Sequence, residues 1–181
     1  MNARQLYLWC VENNGLSDHD MEKLSPNQRK LLSRGENGKF WLSRKEREKF
    51  TVALTGGAFD LLHMGHIITL REAKKQADLL VVVVATDERV RELKKRPPIH
   101  NCEYRTQMVS AIRWVDLAIQ GSHDIMETFY RVRPDVVVFG YDQQPMKLPV
   151  PVKIVHLKDV VFDEKLAKTS RLLSQLGLGK D

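Results

Sequence analysis

A doubly wound, Rossmann-like α/β fold with a parallel sheet, carrying a small and mainly helical N-terminal extension, is what this sequence predicts. Three observations lead there. Short apolar runs such as Leu79-Leu-Val-Val-Val-Val-Ala85 and Asp135-Val-Val-Val-Phe139 have the length and continuity of strands covered on both faces. Segments of helical spacing separate them, which implies right-handed crossovers between parallel strands. The chain also changes character near Thr51, from repeated helix-start signals to strand–helix alternation. Its 181 residues suffice for one α/β domain and an appendage, but not for two full domains. The expected division is residues 1–50 as the extension and 51–181 as the main domain.

In the extension, Ser17 is followed at the third position by Asp20, Ser25 by Gln28 and Ser43 by Glu46. Each is a capping-box pattern, in which the serine oxygen accepts from a backbone N–H and the later side chain reaches back. Pro26 stands where a first helical residue needs no N–H. Gly15 and Gly35 fall where helices would stop. Asn37-Gly38 predicts a turn before the apolar Phe40-Trp41-Leu42. Three or four short helices and a small ribbon are expected.

Beyond Thr51, Phe50 to Leu54 reads as a first strand and Ile67 to Gln76 as the helix after it. Leu79 to Ala85 is the second strand. Glu103 to Arg113 fits a helix with Met108, Ala111 and Ile112 toward the core, and Leu117 to Ile119 a short strand. Ile125 to Val132 fits a helix, Asp135 to Phe139 a buried strand, Val152 to Val155 a fifth strand, and Lys168 to Leu176 a closing helix.

Composition narrows the partners less than it narrows the class. Hydrophobic content of 43% and charged content of 29% describe a globular chain rather than a disordered one. The longest apolar runs are of strand length, and the first twenty residues are interrupted by Arg4, Glu12 and Asp18, so a cytoplasmic location without membrane contact is expected. The net charge of +6 is dispersed along the chain, which suits phosphorylated small molecules as well as nucleic acid. Cys10 and Cys102 have no metal-ligand spacing and read as reduced, structural thiols.

The chemistry is concentrated after the first strand. In doubly wound sheets ligands bind beyond the carboxyl ends of the strands. There Gly56 and Gly57 permit close backbone approach. His63 and His66 bracket Gly65 around the start of a helix, where unpaired N–H groups and the helix dipole suit phosphate. Two imidazoles so placed could donate to phosphate oxygens as charge builds during a transfer.

The run Thr55-Gly-Gly-Ala-Phe-Asp-Leu-Leu-His-Met-Gly-His66 resembles the signature of the cytidylyltransferase-like nucleotidyltransferases. The likeness extends over about residues 51–175, through Ala85-Thr-Asp87, Tyr104-Arg105, Val115-Asp116, Gly140-Tyr-Asp-Gln143 and Lys168-Thr-Ser170. It implies transfer of a nucleoside monophosphate from a nucleoside triphosphate to a phosphate-bearing acceptor, with pyrophosphate released. It implies nucleotide contacts from Gly57, Ala58, Phe59, His63, Gly65, His66, Arg105, Gly140, Asp142, Thr169 and Ser170. It further implies catalytic roles for His63, His66 and Lys94 or Lys95, Mg²⁺ carried by the triphosphate rather than by a protein metal site, and a homodimer. Ala58 departs from the Thr or Cys of many members, which removes a hydroxyl contact and leaves the backbone. The Gly-Tyr-Asp-Gln loop is closest to that of archaeal-type FAD synthases, whose substrates are ATP and FMN. CTP with glycerol 3-phosphate, or with another polyol or sugar phosphate, is the alternative within the class.

Plainer roles stand beside several of these. Lys94 and Lys95 fit a solvated loop, Thr169 or Ser170 a helix N-cap, Arg105 an ion pair and Asp60 a brace of its turn; Trp114 fits packing. A winged-helix-like nucleic-acid reader in the extension, using Arg29, Lys30 and Arg34, is the alternative of another class.

Overall fold

In a computed structural model the described residues are 1–141, 143, 148 and 150–157. The extension folds as helices α1 (Ala3–Glu12), α2 (Asp18–Glu22) and α3 (Pro26–Arg29), strands β1 (Leu32–Arg34) and β2 (Phe40–Leu42), and helix α4 (Arg44–Arg47). Ser17 and Ser25 make their reciprocal capping boxes, and Pro26 opens α3. Asn2 makes a third with Gln5 at the start of α1. Ser43 precedes α4 but makes no side-chain cap bond. Gly15, at φ +88°, follows α1 and donates back to the Cys10 carbonyl, as a left-handed helix stop should. Gly35 does not end a helix. It begins the turn of the antiparallel β1–β2 ribbon, whose Gly38 takes the left-handed conformation expected of Asn-Gly. The helix α3 is only one turn long, and the guanidinium groups of Arg29 and Arg34 are turned onto Leu24, Glu22 and Asp18.

The rest is β3 (Val52–Gly57), α5 (Met64–Lys74), β4 (Leu79–Val84), α6 (Asp87–Lys94), α7 (Cys102–Ser110), β5 (Leu117–Gln120), α8 (Ile125–Val132), β6 (Val136–Phe139) and β7 (Lys153–His156). The β3–β7 strands form one parallel sheet in the order β5-β4-β3-β6-β7. The order reverses at β3, whose two neighbours are β4 and β6, so the predicted doubly wound fold is the observed one.

Several boundaries differ from the expected ones. β3 runs to Gly57 instead of ending at Leu54, because its ladder with β4 continues to Gly57↔Val84. α5 begins at Met64, ahead of Ile67, which makes His63 its N-cap and sets His66 in its first turn. α7 is capped by Asn101 and turns Cys102, Arg105 and Val109 inward; Ala111 is exposed and Met108 half-buried. The helix α6 was not expected at all. The expected closing helix, Lys168 to Leu176, lies outside the described residues. Cys10 and Cys102 are free and buried.

Strand alternation divides the core into two layers. On one face Ala53, Leu80, Val82, Val84, Val136 and Val138 pack with Leu70 and Ala73 of α5 and Cys102 and Val109 of α7. On the other, Val52, Leu54, Val81, Ile119 and Val137 pack with Phe129 and Val132 of α8 and with Leu6, Tyr7, Cys10 and Val11 of α1. Polar pins hold α1 there. The Tyr7 hydroxyl donates to the Val132 carbonyl at 2.6 Å, and Arg131 donates to the carbonyls of Val11 and Glu12 at 2.6 and 2.8 Å. Arg47 reaches the Arg133 carbonyl and the Asp135 carboxylate, both at 2.7 Å.

Candidate active site

At the carboxyl end of β3 the chain must turn sharply, and its residues are suited to that. A Cβ on Gly57 would sit 3.1 Å from the ring of Phe59, which folds beneath it. Phe59 itself is buried and left-handed, at φ +49°, a strained conformation for an aromatic residue that the surroundings must hold. Two ionic braces do so. Asp60, 1% exposed, accepts from the Ile99 N–H at 2.6 Å and pairs with Arg96 at 2.7 Å. Arg105, 0% exposed, donates to the carbonyls of Ala58 and His100 and to the Asp87 carboxylate at 2.6 Å. The first brace ties the loop after β3 to the segment between α6 and α7, and the second ties it to α7 and α6.

His63 and His66 come together at the N-terminus of α5. Their rings stack with centroids 3.8 Å apart, and His66 also lies against Phe59 at 5.1 Å. Burial pushes the His66 imidazole well down, to about 3, and the neighbouring His63 and Lys94 add to the effect. At neutral pH His66 is therefore uncharged, with one nitrogen to donate and one to accept. Gly65 is buried in the same helical turn.

The lysine whose charge His66 feels, Lys94, ends α6. Lys95 is its C-cap, in the left-handed conformation at φ +54°. Across the crevice, Gly140 follows β6 and donates to the side chain of Gln143, which in turn reaches Gly56. A cleft lined by Arg44, Arg47, Glu48, Arg133 and Asp135 opens at the other, amino end of the strands and contains none of these groups.

Comparison with known proteins fits this geometry. A sequence model of the cytidylyltransferase-like family matches residues 54–172. The chain belongs to that family. Like its relatives in this cytidylyltransferase-like family, it is a nucleotidyltransferase. The FAD synthase of Thermococcus kodakarensis is 36% identical over 144 residues, which are 73% of this chain and 95% of that one. The FAD synthase of Aciduliprofundum boonei is 46% identical over 112 residues, 56% of this chain and 74% of its own. Among solved structures, the lipopolysaccharide core biosynthesis protein of Thermoplasma volcanium matches with a TM-score of 0.56 and 39% identity, over 59% of this chain and 95% of that one.

The structure thus gathers Gly57, Ala58, Phe59, His63, Gly65, His66, Lys94 and Gly140 around the carboxyl ends of β3 and β6. Arg105 lies beneath them with its donors already given to protein acceptors. Asp142, Thr169 and Ser170 lie outside the described residues. Sequence reasoning named Asp87 and Gln143 only as members of matched motifs and gave His156 no role. It expected Arg105 in an ion pair and Asp60 as a brace, without their partners Asp87 and Arg96. Asp87 also carried a local signal, as an acidic residue in the first turn of a helix capped by Thr86.

Proposed function

We propose that this enzyme transfers AMP from ATP to FMN, forming FAD and releasing pyrophosphate. The observation that supports this most is the stacked His63–His66 pair at the N-terminus of α5, in a chain that aligns with nearly the whole length of a protein named FAD synthase. The FMN phosphate is anionic at neutral pH, so its oxygen attacks the α-phosphorus without a general base. Catalysis then consists of alignment and of stabilising charge on the pentacoordinate transition state.

In this reading His63 and His66 donate to triphosphate oxygens, backed by the N–H groups of the first turn of α5. The anion opposes the His63 and Lys94 charges that add to the effect of burial on His66 and draws its proton affinity up. The backbone of Gly57, Ala58 and Phe59 lines the triphosphate, with Gly65 allowing close approach, and Arg105 holds that backbone in place through the Ala58 carbonyl. Lys94 neutralises charge on the acceptor phosphate or the leaving pyrophosphate, with Lys95 beside it. Gly140 and Asp142 meet the nucleoside, and Thr169 and Ser170 the β- and γ-phosphates. Mg²⁺ accompanies the triphosphate. Phosphate oxygens would provide most of its ligands. Among the described residues no helix is long and apolar enough to cross a membrane.

Pyrophosphate release with Mg²⁺, crossing ATP and CTP against FMN, glycerol 3-phosphate and sugar phosphates, tests the assignment. Release with ATP and FMN alone is expected; release only with CTP and a polyol phosphate would overturn it. His66→Ala should leave the melting curve nearly unchanged and lower turnover by about a hundredfold. A folded variant with wild-type turnover would remove His66 from the mechanism.

A further inference from the structure

The strand β3 holds its two neighbours differently. Its ladder with β4 is continuous from Val52 to Gly57, whereas its register with β6 stops at Leu54↔Val137. Parting strands leave backbone groups without ladder partners, and inside a protein such groups are costly. Side chains fill the gap. The Thr55 hydroxyl donates to the Val138 carbonyl at 2.8 Å. Farther out, the Gln143 carboxamide spans the opening. Its Nε2 donates to the Gly56 carbonyl at 2.7 Å, and its Oε1 accepts from the Gly140 N–H at 2.8 Å. The donor and acceptor ends of the amide therefore serve opposite walls. Behind it, His156 at the end of β7 places Nε2 2.8 Å from the Gln143 carbonyl. A carbonyl only accepts, so that nitrogen carries the proton.

We propose that Gln143 is the crossbar of the nucleotide site, a positioning residue that fixes the separation of the carboxyl ends of β3 and β6, with His156 holding it in place. The inference rests on the nucleotidyltransferase reading of the site but not on the identity of the base or the acceptor. The crevice where strand order reverses is where such sheets take their ligands, and Gln143 bonds to both of its walls. One wall, Gly56, leads directly into the Gly57-Ala58-Phe59 turn; the other, Gly140, begins the loop after β6. Without the crossbar a carbonyl and an N–H lose their partners and the walls move independently. The loss should fall on nucleotide affinity, because Lys94, assigned in this inference to the acceptor phosphate, ends α6, which is tied to the Ala58–Asp60 turn by the separate braces of Asp60 and Arg105.

Gln143→Met keeps the length of the side chain and removes both bonds. By calorimetry with whichever of ATP and CTP the wild-type protein binds, we expect its Kd to rise about tenfold. KM for FMN should stay as in the wild type, and the thermal transition should remain cooperative. His156→Phe should weaken nucleotide binding in the same direction by less. His156→Gln, whose Nε2 can donate from nearly the same place, should restore it. The proposal is overturned if folded Gln143→Met binds nucleotide as well as or better than the wild type. Equal losses for nucleotide and FMN would also overturn it, as would His156→Gln binding no better than His156→Phe. A wild-type protein that binds nucleotide yet makes no FAD would remove the FMN assignment and leave this one standing on the Kd values.

Discussion

The two faces of the parallel sheet are covered by different kinds of segment. One is covered by α5 and α7, which lie on the connections between adjacent strands β3, β4 and β5. On the other, among the described residues, α8 shares the cover with α1 and the ribbon, which precede the sheet altogether. The difference shows what the first fifty residues do. Leu6 and Val11, both fully buried, belong to the same apolar layer as Val52, Val81 and Ile119. The extension serves as the roof of one face, placed by Tyr7, Arg47 and Arg131, while the binding groups gather at the carboxyl ends of the strands.

If the roof is part of the core, its removal should have the largest effect. A chain of residues 51–181 would expose Val52, Leu54, Val81, Ile119 and Val137, and we expect it to lose its cooperative thermal transition. A sharp transition in that fragment would make the extension an appendage. Next in size, Leu6→Ala beneath the roof and Leu70→Ala on the opposite face should each cost about 2 to 5 kcal/mol in denaturant unfolding, since both side chains are fully buried. A cost at Leu6 far below that at Leu70 would show a roof only loosely laid. The smallest effects test the local joints. Ser17→Ala should cost about 1 kcal/mol because its capping box is complete. Ser43→Ala, where no cap bond forms, should fall within about 0.5 kcal/mol of wild type.

Strands with buried faces and helices with apolar periodicity were legible in the sequence. The strands β4 and β6 and helix α8 stand where the apolar pattern placed them, because burial on the sheet demands that pattern. The helix α6 was not legible. Its sequence Asp87-Glu-Arg-Val-Arg-Glu-Leu-Lys94 buries only Val90, and it stops on a left-handed lysine where glycine would be the recognisable signal. The end of β3 was hidden for a related reason: Gly56 and Gly57 read as loop, but the ladder to β4 keeps them extended. Within the site, the His63–His66 pair is local and was visible. The braces are not local. Arg105 meets Ala58 and Asp87, and Gln143 meets Gly56, across 47, 18 and 87 residues of chain, and no spacing rule joins such distant positions.

The pins on α1 also have a consequence for the time course of folding. Tyr7 and Val11 find their polar partners at Val132 and Arg131, at separations of 125 and 120 residues. Contacts that close such long loops form slowly, and synthesis from the N-terminus produces α1 before α8 and β6. A helix made well before its partners is thus among the last to be sealed. Until α8 and β6 have emerged, Leu6, Tyr7 and Val11 wait without their full cover, and aggregation during synthesis should begin from this helix.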